Sequence, residues 1–253
     1  MALGWDKSCD SVGLIDVLTI PVNKSTLFVP GLLCSPRLYG NQIPALWRFG
    51  PVTVADNTRD ASIGAIASRI LMTAPPSFVL IGLSMGGYIA LELLRQAPER
   101  VLKLVLLDTT ARPDRPEQTE QRHALINLAE HGRYSEIPDL LFPRLVHSSL
   151  LRNDALRQTV NLMAEETGSE AFVRQEQAIM NRPDSRPSLG VISCPTLMIV
   201  GDSDQITPPE HAREIVAGIP GARLAIVEEC GHLSTLEQPD RVTRLLVEFL
   251  TTA

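Results

Sequence analysis

The sequence predicts an α/β fold, a mostly parallel, doubly wound sheet with one helical insertion, and three observations predict it. Six short apolar runs recur along the 253 residues. Segments of helical periodicity lie between them. The alternation is interrupted once, by a long block with no strand pattern. Runs that are apolar on both faces suit the buried strands of a parallel sheet, whereas half-exposed antiparallel strands alternate apolar with polar residues. Strand and helix in turn are what a doubly wound sheet requires, because every parallel crossover needs a connecting element.

In chain order, the runs cover 26–29, which ends at Pro30-Gly31, and 52–55, which ends at Asp56. The run 77–81 ends at Gly82, and 101–107 ends at Asp108. The last two, 196–200 and 223–227, end at Gly201 and Glu228. Residues 11–22 offer a further edge strand or hairpin. Helix candidates cover 62–73, 85–97, 208–217 and 239–251. From 112 to 190 there are only amphipathic helical stretches, at 117–131, 134–141, 149–166 and 169–181. Proline-rich hinges, Arg112-Pro-Asp-Arg-Pro116 and Arg182-Pro-Asp-Ser-Arg-Pro187, bracket this block, and prolines at that density stop helices and stiffen linkers. The expected organisation is a core of residues 1–111 and 191–253 with a helical cap at 112–190. The cap holds ten arginines, no lysine and twelve acidic residues, a balance read as a solvated surface.

Hydrophobic residues make up 44% and charged residues 21%, the mix of an ordinary globular protein, and a chain of this length needs no disulfide or metal staple. A net charge of −6 opposes a nucleic-acid partner, which calls for a clustered basic face. Cys9, Cys34, Cys194 and Cys230 form no CxxC pair and read as free thiols in a reducing compartment. The N-terminus has neither a basic n-region nor an apolar h-region, and no run reaches the roughly 18 apolar residues of a membrane span. The expectation is a cytoplasmic protein, monomer or homodimer, with no membrane partner.

Gly82-Leu83-Ser84-Met85-Gly86 carries the chemistry. A GxSxG pattern alone is weak, since roughly 0.1 chance matches are expected in such a chain. Its context is stronger, because it follows one apolar run and opens a helical one. A sharp strand-to-helix turn lifts a serine hydroxyl above the sheet and needs small neighbours, here Gly82, Gly86 and Gly87. A serine needs a base. Of five histidines, His123, His131 and His147 fall in the cap and His211 on a charged helix, so all four read as surface residues. His232 follows the last strand run, at the sheet edge where catalytic groups of parallel sheets gather. The carboxylate that orients it has two candidates in one loop, Asp202 and Asp204, with Asp56 and Asp108 as competitors after other strands.

These motifs resemble the α/β-hydrolase superfamily, specifically its small esterase-like members with a helical cap, over residues 24–251. The acid motif, Gly-x-x-Asp with a later proline, matches Gly201, Asp204 and Pro208, and so favours Asp204. The histidine motif matches Gly231, His232, Glu237 and Pro239. The resemblance implies a Ser84–His232–Asp204 triad, with the oxyanion held by the N–H groups of Met85 and Leu32. The family commonly carries His-Gly-x at the second donor, where this chain reads Pro30-Gly31-Leu32. That departure leaves open what supports the loop. Cys34, in the same loop, is not expected to act as a catalytic thiol.

No metal or organic cofactor is implied. Serine as nucleophile speaks against the dehalogenase and epoxide-hydrolase branches, which place aspartate there. The expected pocket walls, Leu32, Leu33, Leu38, Tyr39, Leu125, Leu128 and Met163, are mostly apolar. They suit a small-molecule ester with a short to medium acyl chain, or an oligoester. The alternatives are hydrolysis of a C–C bond in a β-diketone-like ring-fission product, or of a lactone, since the cap and the strand end Leu107-Asp-Thr-Thr-Ala111 resemble such members too. A receptor that binds without turnover is the reading of another class.

Overall fold

A computed structural model describes residues 24–252. Cys9 and the edge strand or hairpin expected at 11–22 lie outside them. From β1 (Thr26–Val29) the chain turns through α1 (Gln42–Trp47) to β2 (Val52–Val54) and α2 (Ile63–Thr73). β3 (Phe78–Leu83), α3 (Met85–Gln96) and β4 (Val101–Leu107) follow. Four helices then intervene: α4 (Pro116–Glu130), α5 (Ile137–Leu145), α6 (Asp154–Thr167) and α7 (Ser169–Met180). The chain returns to the sheet with β5 (Thr196–Gly201), α8 (Pro209–Gly218) and β6 (Arg223–Val227), and ends in α9 (Ser234–Glu237) and α10 (Pro239–Thr251).

All six strands are parallel, in the order β2-β1-β3-β4-β5-β6. Alternate strand residues feed two separate cores. Leu27, Leu80, Leu104 and Met198 join α2, α3 and α8 on one face, while Phe28, Ile81, Val105 and Ile199 join α1 and α10 on the other. Both faces are therefore covered, which is why each strand reads as a continuous apolar run. The strand order reverses between β1 and β3, and loops leaving the C-terminal ends there diverge to open a crevice. The register aligns those ends, with Val29 opposite Gly82, Leu83 opposite Leu107, and Leu107 opposite Ile199.

The helices largely follow the predicted periods, and the exceptions have local causes. The stretch at 149–166 divides because the Asn153 side chain accepts a hydrogen bond from Leu156 N at 3.0 Å and starts α6 there. The stretch at 134–141 begins in a short 3-10 turn before α5, which runs on to Leu145. α1 and α9, six and four residues long, are too short to show a period. The charge-balanced segment is not wholly a solvated surface, which corrects the sequence expectation. Arg122 bonds Asp114 at 2.7 Å and Glu176 at 2.6 Å, and Arg182 bonds the other Asp114 oxygen at 2.5 Å. The two acidic side chains are buried, and so is that of Arg182. The four charges cancel, which is what makes their burial tolerable. No described helix is long and apolar enough to cross a membrane.

Candidate active site

Ser84 occupies the turn between β3 and α3 with φ 55° and ψ −115°, a backbone region that costs a non-glycine residue about 1–3 kcal/mol. The surroundings over-determine it. Ser84 N donates to Leu107 O at 3.0 Å, and Thr109 Oγ1 donates to Ser84 O at 2.8 Å. Gly86 lets α3 start this close to the sheet, since a Cβ there would overlap the Val29 carbonyl. Gly86→Ala is accordingly expected to cost about 1–3 kcal/mol of stability, because the obstacle is backbone that cannot yield. Urea unfolding of the variant checks this, and a midpoint equal to that of the wild type would contradict it.

His232 lies on the loop between β6 and α9. Its N–H donates to Leu145 O at 2.9 Å, and Glu237 accepts from the N–H groups of Gly231 and Leu233 at 3.0 and 2.9 Å on either side. The imidazole is thereby held between two partners. Nε2 is 2.8 Å from Ser84 Oγ, and Nδ1 is 2.8 Å from Asp204 Oδ2. A carboxylate at Nδ1 keeps the proton there and leaves Nε2 as the base facing the hydroxyl. Asp204 is buried and accepts from Ile206 N at 2.8 Å, Thr207 N at 3.0 Å and Thr207 Oγ1 at 2.8 Å. Burial pushes its carboxyl up, but the facing imidazolium and these bonds outweigh it and hold the group below the ordinary carboxylate value. Burial likewise pulls His232 down, and Asp204 outweighs it, leaving the imidazole above an ordinary histidine.

The other carboxylates are occupied elsewhere. Asp202 accepts from Glu229 N and Cys230 N, while Asp56 is bound to Thr58 and Arg59 near the surface. Asp108 is fully buried and accepts from Gly201 N and the Ser234 hydroxyl, bracing β4 against β5 and α9. Burial, and then the charge of Asp204, push its carboxyl above the usual range. None of the other four histidines bonds Ser84 or Asp204. The Cys34 thiol is pushed up to about 12 by burial, which leaves no thiolate at neutral pH.

A cleft of about 1070 Å³, its mouth included, opens over Ser84 and His232. Leu32, Leu33, Leu125 and Met163 line it as expected, together with Val160, Ile179 and Leu233. Leu38, Tyr39 and Leu128 do not, and these three expectations are corrected. Ser35 caps a short 3-10 turn that carries Leu38 and Tyr39 into the core, where the Tyr39 hydroxyl donates to Val29 O at 2.8 Å and its ring centroid lies 4.3 Å from that of Phe28. Leu128 lies almost one turn beyond Leu125 on the same side of α4, and both pack onto the cluster around Phe172, but only Leu125 reaches the cleft. Gly31 lies against Ser84, where a Cβ would be 3.5 Å from that of the serine. The N–H groups of Leu32 and Met85 find no acceptor among the described residues. Sequence reasoning missed the buried amides Asn57 and Gln175, which bond the Pro30–Leu33 loop. The position of Asn57, just after a strand run and its Asp56, was the available signal.

The sequence and the fold that carry this site have known counterparts. The model of the alpha/beta hydrolase family matches residues 27–245. The chain belongs to that family. This alpha/beta hydrolase is 31% identical over 176 residues to a 2-hydroxy-6-oxononadienedioate/2-hydroxy-6-oxononatrienedioate hydrolase from Paraburkholderia xenovorans, a match covering 68% of the chain and 61% of that relative's length. A hydrolase of the same name from Dechloromonas aromatica is 30% identical over 214 residues, which is 82% of the chain and 74% of the relative. Among solved structures, a thermophilic esterase from Thermogutta terrifontis superposes with a TM-score of 0.81 at 30% identity, covering 90% of this chain and 89% of that one. Both sets of relatives are hydrolases by name, one of 2-hydroxy-6-oxo-dienoates and -trienoates and the other an esterase.

Proposed function

We propose that this alpha/beta hydrolase cleaves carboxylic esters of uncharged, short to medium acyl chains through an acyl-enzyme. The observation that carries the reading is the unbroken chain Ser84 Oγ, His232, Asp204, with both links at 2.8 Å, opening into a largely apolar cleft. Ser84 attacks the ester carbonyl while His232 Nε2 takes its proton. The oxyanion meets the N–H groups of Leu32 and Met85, which act where charge develops. The alkoxide leaves with the proton from His232, and water then repeats the sequence on the acyl-enzyme. The helical segment at 112–190 serves as a cap that walls the acyl side. The Arg122 guanidinium in that wall is already met by Asp114 and Glu176, which favours an acyl group without charge.

A second reading, hydrolysis of a C–C bond in a 2-hydroxy-6-oxo-dienoate, has two supports. The relatives from P. xenovorans and D. aromatica carry that substrate class in their names. Arg144 is exposed at the cleft and has no carboxylate partner among the described residues, so it could meet a substrate carboxylate. In that reaction Ser84 attacks the ketone as His232 Nε2 takes its proton, the C–C bond breaks, the carbon that keeps the electron pair takes the proton from His232, and water then releases the acyl group from Ser84. Turnover of p-nitrophenyl acetate and butyrate against that of a dienoate separates the two. The ester reading expects higher kcat/KM on the esters and an Arg144→Gln variant within about twofold of wild type. Faster dienoate turnover, lowered about tenfold or more by Arg144→Gln, overturns it, since losing a charge-assisted hydrogen bond costs about 1.5–3 kcal/mol.

A further inference from the structure

The loop after β1 lacks the histidine of the family's His-Gly-x sequence, and a relay of two buried amides holds it instead. Leu33 N donates to Gln175 Oε1 at 3.2 Å, Gln175 Nε2 donates to Asn57 Oδ1 at 3.0 Å, and Asn57 Nδ2 donates to Pro30 O at 2.9 Å. Gln175 is fully buried and Asn57 nearly so. The relay has one direction. Flipping the Gln175 amide would oppose its N–H₂ to Leu33 N–H and its oxygen to Asn57 Oδ1, so the donors and acceptors admit a single arrangement.

The two ends of the relay bracket one peptide unit. Pro30 O belongs to the unit before Gly31, and Leu33 N–H to the unit after Leu32. Between them stands only the Gly31–Leu32 peptide, which carries the Leu32 N–H. The carbonyl of that unit accepts from Cys34 N at 3.3 Å, and in a trans peptide the N–H points the opposite way. Leu33 itself is held at φ 59°, a left-handed conformation that a leucine leaves unless its surroundings fix it. Its side chain packs with Ala129, Ile137, Ala164 and Phe172 of the inserted helices, so the same segment that supplies Gln175 also grips the loop apolarly.

We propose that Gln175, acting through Leu33 N–H directly and through Asn57 on Pro30 O, is a positioning residue that aims the Leu32 N–H at the oxyanion formed on the Ser84 adduct. The proposal rests on the acyl-transfer reading above. It makes an α7 side chain part of the oxyanion machinery, although Gln175 touches no reacting atom. It also says how a chain without the family's histidine keeps its second donor in place.

The test compares wild type with Gln175→Leu and the isosteric Gln175→Glu on p-nitrophenyl butyrate, with a trifluoromethyl ketone as tetrahedral-adduct mimic and thermal melting as control. Gln175→Leu is expected to lower kcat roughly 10- to 100-fold with KM within about twofold, and to weaken the ketone by a similar factor, because a displaced donor is felt only by the oxyanion. Gln175→Glu probes the same relay where the leucine variant does not fold. As a carboxylate it accepts from Leu33 but cannot donate to Asn57, whereas its protonated form can do both. Its defect relative to wild type is therefore expected to narrow as pH falls from about 8 to 5, a trend that a purely structural loss would not produce. Ketone affinity unchanged beside a lowered kcat, or a Gln175→Glu defect independent of pH, overturns the proposal. A Ser84→Ala enzyme that keeps its activity would instead overturn the acyl-transfer reading beneath it.

Discussion

Ser84→Ala is expected to lower kcat by a factor on the order of 10³–10⁶, the range that loss of a serine nucleophile produces in triad enzymes. The substitution removes one oxygen and leaves the cleft, the free N–H groups of Leu32 and Met85, and the imidazole in place. KM is therefore expected to change little. Stability should change little as well, because alanine suffers at φ 55° the same backbone penalty that serine already bears, and the Ser84 backbone bonds to Leu107 and Thr109 remain. Steady-state kinetics with p-nitrophenyl butyrate read the first effect, and a melting curve the second. A fluorophosphonate probe adds an independent readout, since it forms a covalent adduct only with an activated hydroxyl. A folded wild-type protein that fails to label at Ser84 would revive the binding-without-turnover reading, and a Ser84→Ala variant that keeps its rate would end the serine mechanism.

Asp204→Asn is the second large effect, about 10⁴-fold in kcat. An asparagine oxygen can still accept from Ile206 N and Thr207 N, so the loop is preserved and the amide N–H₂ is left facing His232 Nδ1. Donor then meets donor unless the imidazole moves its proton to Nε2, where it points at Ser84 and no base remains. The pH profile carries a second signature with a definite sign. His232 must be neutral to accept the Ser84 proton, and burial lowers its pKa while Asp204 raises it further, so its pKa stands above the ordinary value near 6.5. The acidic limb of kcat/KM in the wild type is thus expected above that pH. Removing the Asp204 charge leaves burial in command and moves the residual limb to lower pH. A wild-type limb below 6, or a limb unmoved in Asp204→Asn, would contradict the electrostatics read from this site. The same linkage acts on stability. The contribution of His232 is complete below about 6.5 and is lost as pH rises through its folded value. That of Asp204, whose pKa is depressed, is complete above its unfolded value and is lost as pH falls through the folded one.

Much of this was legible because the informative signals are local. A buried parallel strand is apolar on both faces whatever its partners are, so Phe78–Leu83 and Thr196–Gly201 announce themselves, and Gly82, Ser84 and Gly86 mark a turn only small residues can make. His232 stands out for the same reason, as a histidine directly beyond a strand end. Short helices did not stand out, since α1 and α9 contain less than two turns of pattern. Side-chain destination was also hidden. Leu38 and Tyr39 have the composition of a pocket wall, yet the Ser35-capped turn sends them into the core, and the salt bridges of Arg122 and Arg182 are buried in a segment whose composition reads as surface.

The α/β architecture and the tight Gly82–Gly86 turn at the end of β3 were legible in the residues alone. Each depends on residue type and near-neighbour spacing, which the chain carries whether folded or not. Between Asp202 and Asp204, which the acid motif had weighted toward Asp204, the fold supplies the geometry: neighbouring loop residues point different ways, and just one lies 2.8 Å from His232. The fold alone joined Gln175 to Leu33, 142 residues apart, and so supplied the loop with a support that no local pattern announces. Hydrogen bonds between distant segments follow from how the sheet and the helical insertion pack, and packing is a property of the whole chain.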